Sequence, residues 1–67
     1  MKIWIATDPK PLLSGGYATL LFSGGRPRLE NGFWMQGKWG NRWPIPNVLK
    51  QKPGDIAQVE IKEVRSD

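Results

Sequence analysis

Between residues 26 and 43, Arg26, Arg28, Lys38 and Arg42 are interleaved with Trp34, Trp39 and Trp43, so three of the chain's four tryptophans share one basic segment. This combination suits two kinds of chemistry. Guanidinium and ammonium groups meet phosphates, while an exposed indole stacks on a planar group such as a nucleobase, each stacked base contributing on the order of 1–3 kcal/mol. The same side chains serve protein contacts, where tryptophan and arginine are enriched at the energetic centre. A further role needs no ligand. An indole buries a large area at low rotamer cost, and a short chain needs such rings inside. Local sequence separates the four rings. Trp4 and Trp34 have strand-like neighbours and are assigned to the core. Trp39 lies among Gly37, Lys38, Gly40 and Asn41, which are loop formers, and is the ring expected outside. Trp43 stands at a strand exit, open to either role. Arg26, Arg28, Lys38, Trp39, Arg42 and Trp43 are therefore the candidate binding residues.

Side chains for covalent or acid–base chemistry are scarce. The chain has no histidine and no cysteine, which removes the commonest general base, the strongest nucleophile and the usual zinc ligands. Six acids remain: Asp8, Glu30, Asp55, Glu60, Glu63 and Asp67. Glu60 and Glu63 are three apart, which on a strand puts them on opposite faces, so they are not a catalytic or metal-binding pair. Asp55 follows Pro53-Gly54 and reads as turn chemistry. Neither Gly15-Gly16 nor Gly24-Gly25 continues into a phosphate-loop or dinucleotide pattern, so both are hairpin or loop glycines. The expectation is a protein that is not an enzyme and has no metal, no cofactor and no small-molecule substrate.

Sixty-seven residues make one domain, spanning 1–67, with thin reserves of stability. A domain of this size buries only about 60% of its unfolded surface, and such scaffolds usually add disulfides, a metal, self-association or heavy core residues. Without cysteine or histidine, the last two are left. Net charge is +4, unevenly spread. From Arg26 to Lys52, six basic residues stand against Glu30, a net of +5, leaving −1 for the remainder. After Lys2, only Ile3 to Ala6 are apolar before Thr7-Asp8-Pro9, too short for a signal peptide or a membrane span. A cytoplasmic protein with native termini is expected.

The elements that must position the basic aromatic segment are short and sharply punctuated. Lys2 to Ala6 is a β-prone run, stopped by Asp8-Pro9 and Pro11. Tyr17 to Ser23 is the clearest central strand, apolar on both faces near Leu20-Leu21-Phe22. Arg26-Pro27-Arg28 is extended, because Pro27 fixes its own φ and restricts Arg26. Asn31-Gly32 is a strong turn signal, and Phe33-Trp34-Met35 starts a strand. Gly40-Asn41 and Gln36-Gly37 compete for the next turn. Trp43-Pro44-Ile45-Pro46 must be an edge or a sheet exit, since proline cannot donate to a ladder. Pro46 to Lys52 offers at most one helical turn, ended by Pro53-Gly54. Ala57, Val59 and Ile61 alternate with Gln58, Glu60 and Lys62, a strand with one wet face. The fold expected is mainly β: a small antiparallel sheet or partly open barrel of four or five strands, with the two terminal strands as neighbours.

The opening Lys2-Ile3-Trp4-Ile5-Ala6-x-Asp8 resembles that of short bacterial and prophage-type proteins of uncharacterised role. The resemblance continues through Tyr17 to Phe22, Arg26-Pro27-Arg28, Phe33-Trp34, Ile45-Pro46 and Ala57 to Ile61. This chain departs in being basic and in carrying Trp39 and Trp43. The resemblance implies a mobile-element origin and no particular mechanism. The functional expectation is a non-enzymatic accessory or regulatory module that acts through a protein partner or self-association. Single-stranded nucleic-acid binding through residues 26–43 is the alternative. It ranks second because the net charge is modest and no recognised nucleic-acid motif occurs.

Overall fold

The computed structural model describes residues 2–62. Six strands follow one another: β1 (Lys2–Thr7), β2 (Thr19–Ser23), β3 (Arg28–Glu30), β4 (Phe33–Met35), β5 (Asn41–Pro44) and β6 (Ile56–Glu60). β5, β2, β1 and β6 form an antiparallel sheet in that order, and β3 pairs with β4 in a separate hairpin. The two terminal strands are neighbours, in register from Lys2 opposite Glu60 to Ala6 opposite Ile56.

The mainly β antiparallel architecture matches the sequence reading, taking the form of its open sheet and not of its partly open barrel, but the strand count differs. There are six strands in two sheets rather than four or five in one, and the larger sheet keeps two open edges at β5 and β6 instead of curling into a barrel. The cause is local. Asn31 and Gly32 both take positive φ, 53° and 82°, the signature of a two-residue type I′ turn. That turn folds Arg28–Glu30 back onto Phe33–Met35, so neither segment is free to extend the main sheet.

Three boundaries also move. The second strand starts at Thr19, not Tyr17; Ala18 instead accepts a hydrogen bond from the Asp8 N–H at 2.9 Å. The turn after β4 centres on Lys38-Trp39, closed by the Gly40 N–H on the Gly37 carbonyl at 3.1 Å, and Asn41 already belongs to β5. Residues 46–52 form turns and no helix. Asn47 grips Gln51 with both ends of its amide: its Oδ1 accepts from the Gln51 N–H at 2.7 Å and its Nδ2 donates to the Gln51 carbonyl at 2.8 Å. A short amide that bonds local backbone in this way competes with helical pairing. Among the described residues no helix is long and apolar enough to cross a membrane. The last strand alternates as its pattern predicts, with Ala57 and Val59 half-buried and Gln58 and Glu60 exposed; Ile61 lies just beyond it and is exposed. Glu63 lies outside the described residues.

Paired residues of an antiparallel sheet share a face, and neighbours along a strand alternate. Register therefore sorts the sheet. One face carries the row Arg42, Phe22, Trp4 and Gln58, and beside it Pro44, Leu20, Ala6 and Ile56. The opposite face carries Trp43, Leu21, Ile5 and Ala57. The β3–β4 hairpin lies on the first face, where Trp34 joins Ala6 and Phe22 in the core, with Trp4, Leu20 and Ile56 packed around them. Two hydrogen bonds fasten it: the Trp34 N–H donates to Asp8 Oδ1 at 2.8 Å, and the indole Nε1 donates to the Thr7 carbonyl at 3.0 Å. The loop after β5 lies over the second face, where Gln51 Nε2 donates to the Ile5 carbonyl at 2.8 Å and its Oε1 accepts from Thr7 Oγ1 at 2.9 Å.

Candidate binding surface

At the end of the sheet where β2 finishes and β5 begins, two turns press together. A Cβ on Gly24 would stand 2.7 Å from Gly40 Cα, and one on Gly40 would stand 2.5 Å from the Ser23 carbonyl oxygen. Real side chains do not tolerate such distances to backbone, so glycine at both positions lets the turns touch. Gly24 also has φ of +84°, a conformation that favours glycine. The contact seats Lys38-Trp39 next to the turn that leads into Arg26. Gln36 Oε1 is buried here without a hydrogen-bond partner among the described residues.

Each cation at this end rests on a soft or aromatic surface. The Arg26 guanidinium lies 5.4 Å from the centroid of the Trp4 ring, and Lys38 Nζ lies 5.4 Å from that of Trp39. Arg42 Nη1 reaches the Met35 sulfur at 3.7 Å. Met35 is in turn the cross-strand partner of Arg28, so Arg28, Met35 and Arg42 adjoin. Among the described residues Arg28 alone of these meets a carboxylate, Glu30 at 3.7 Å, with both side chains more than half exposed. Such a surface pair contributes little, about 0–1 kcal/mol.

The structure thus gathers Arg26, Arg28, Lys38, Trp39 and Arg42 around one end and turns Trp43 away. Trp43 follows Arg42 directly on β5, and strand alternation sends the two to opposite faces. The single basic aromatic patch of the sequence is therefore two surfaces. Trp39 is 85% exposed, as its loop-like neighbours predict, and Trp43 is 48% exposed. Trp34 is buried as expected. Trp4, assigned to the core, is only partly so: it packs against Phe22 and its neighbours and carries Arg26 on its ring. Sequence reasoning missed this stacking, which joins residues far apart in the chain, and it missed the exposed Val48 and Leu49 of the loop after β5. Among the described residues no three acids come together as metal ligands would. No family model matches the chain, and neither a curated protein nor a solved structure does.

Proposed function

We propose that this chain is a non-enzymatic binding module that works through protein contacts, made by the sheet face that carries Trp43. The observation behind this reading is the position of that ring. Trp43 stands half-exposed on an edge strand, in a row with the half-buried Leu21 and Ala57 and with Ile5, which the loop over this face buries, and that loop itself exposes Val48 and Leu49. An exposed indole with exposed aliphatic side chains nearby is the kind of anchor that dominates protein interfaces. The molecule as a whole supports the same reading. Among the described residues ten large apolar side chains are exposed, against five apolar residues in the core, a balance a solitary domain of this size bears poorly.

A second copy of the chain is the partner that this balance favours, because dimerisation supplies burial that a small monomer lacks. An accessory role in a mobile element, expected from the opening residues, belongs to the same proposal. Sedimentation between about 1 and 500 μM tests the self-association. A dimer should appear within that range, and Trp43→Ser should weaken it by roughly 30-fold, the effect of losing a hot-spot residue worth about 2 kcal/mol. A monomer throughout would remove self-association.

A further inference from the structure

We propose that the end of the molecule bearing Arg26, Lys38, Trp39 and Arg42 binds single-stranded nucleic acid, with Trp39 stacking on a base and the three cations meeting successive phosphates. The site is separate from the Trp43 face and does not depend on the contact proposed there.

Among the described residues, three of the four cations at this end meet no carboxylate, Arg28 being the one that does. Arg26, Lys38 and Arg42 lie against Trp4, Trp39 and Met35 rather than against carboxylates. None of the acids among the described residues pairs with Arg26, Lys38 or Arg42, although Glu60 stands at the same end of the sheet, two strands away from β2. Asp8 is buried under the hairpin, Asp55 bonds the Lys52 N–H at the far end of the sheet, Glu30 is with Arg28, and Glu60 is opposite Lys2 on the β6 side. A ligand that fits must therefore bring negative charge at several points.

Trp39 adds a second requirement. Its ring is almost wholly exposed, and its chain neighbours are Gly37, Lys38, Gly40 and Asn41. An isolated indole among glycines and a lysine is a poor wedge for a lipid bilayer, which favours several apolar side chains together. It is a good platform for a planar group held beside a charged backbone. A single strand presents both, because its bases have free faces, whereas a duplex hides them in the stack. The turn is also held in place before any ligand arrives. The 3.1 Å hydrogen bond from Gly40 to Gly37 and the close approach of Gly24 to Gly40 fix the platform relative to Arg26. Preorganisation of this kind spares the ordering entropy that a free loop loses on binding.

Fluorescence anisotropy of labelled dT12 and rU12, titrated with the full chain between about 20 and 200 mM salt, tests the proposal. With three phosphates engaged, the logarithm of affinity should fall with the logarithm of salt at a slope of about −2, and Arg42→Gln should reduce that slope by about 0.7. Trp39→Ala should weaken binding roughly tenfold or more. It should leave the melting temperature unchanged, since the ring is outside. Trp43→Ser should retain oligonucleotide binding, which separates this site from the face in the preceding section. Unequal affinity for dT12 and rU12 would tell DNA from RNA as the source of the strand, both within the proposal. No anisotropy change at 100 μM protein in low salt would overturn it. So would equal competition by duplex DNA or polyglutamate, which would make this end a general polyanion patch. Binding to anionic phosphatidylserine vesicles in place of the oligonucleotides would overturn it as well.

Discussion

At the scale of single residues, Asp8 and Trp34 decide whether the hairpin stays on the sheet. Asp8 is 5% exposed, and its Oδ1 accepts the Trp34 N–H, while the indole N–H is taken up by Thr7. Truncating Asp8 to alanine leaves a buried donor without a partner, which costs about 1–3 kcal/mol. For a chain of this length, total stability is on the order of 3–10 kcal/mol, so the loss is a large fraction. Urea denaturation of Asp8→Ala should show that fall, and Asp8→Asn, which keeps the Oδ1 acceptor, should recover most of it. A change below about 0.5 kcal/mol in the alanine variant would mean that the hydrogen bond does not fasten the hairpin. Trp34→Ala, which also removes a core ring worth about 3–5 kcal/mol, should leave the chain largely unfolded. The two tryptophans five apart thus have opposite roles. Trp34 was legible as core because it sits in an apolar strand, and Trp39 as exposed because loop formers surround it. Asp8 was not legible. Its neighbours Pro9 and Thr7 read as a strand stop, and its partner is 26 residues away.

At the scale of elements, the Gly24–Gly40 contact sets the geometry of the cationic end. Gly40→Ala places a methyl group against the Ser23 carbonyl at 2.5 Å, so backbone must shift. Forced overpacking of this kind costs about 1–3 kcal/mol. The variant should melt lower and bind oligonucleotide more weakly, because the platform moves away from Arg26. Gly37→Ala, in the same turn but with open space at its Cβ, should do neither. Equal behaviour of the two variants, measured by thermal melts and anisotropy, would sink the account. The edge strand β5 shows how the prolines were accommodated. Ile45 donates to the Thr19 carbonyl at 3.0 Å, so residues 41, 43 and 45 point their N–H groups inward and Pro44 faces the open edge. The missing donor of Pro44 is harmless there, and it blunts the edge against stray pairing. The double proline indicated that placement from sequence alone.

At the scale of the whole molecule, the proposed self-association makes stability depend on concentration. If the Trp43 face joins two copies, only the folded chain dimerises, and mass action raises the melting temperature as protein is added. A hundredfold rise above the dimer Kd corresponds to about 2.7 kcal/mol. In a domain of this size that shifts the melt upward by on the order of 10 °C. Differential scanning calorimetry from about 5 to 500 μM reads this directly. A melting temperature that stays constant would count against self-association, and Trp43→Ser should flatten whatever dependence the parent shows.

Sequence alone determined what depends on near neighbours. β-prone runs bounded by proline and glycine marked β1 and β2, period-two alternation marked β6, Asn31-Gly32 marked the hairpin, and the prolines marked β5 as an edge or a sheet exit. The same local reading separated the core ring Trp34 from the turn ring Trp39, but it grouped Arg42 and Trp43 as binding residues and left the side of Trp43 open. Only tertiary structure decided that side, because which face a strand residue occupies depends on where the strand begins and on its register with distant strands. A slip of one residue exchanges the faces. Pairing β5 from Asn41 to Pro44 against β2 sends Arg42 toward the hairpin and Trp43 to the opposite side. The approach of Gly24 to Gly40 then returns Lys38-Trp39 to Arg26. Residues adjacent in the chain were separated, and residues twelve or more apart were joined, by backbone pairing that no local pattern encodes.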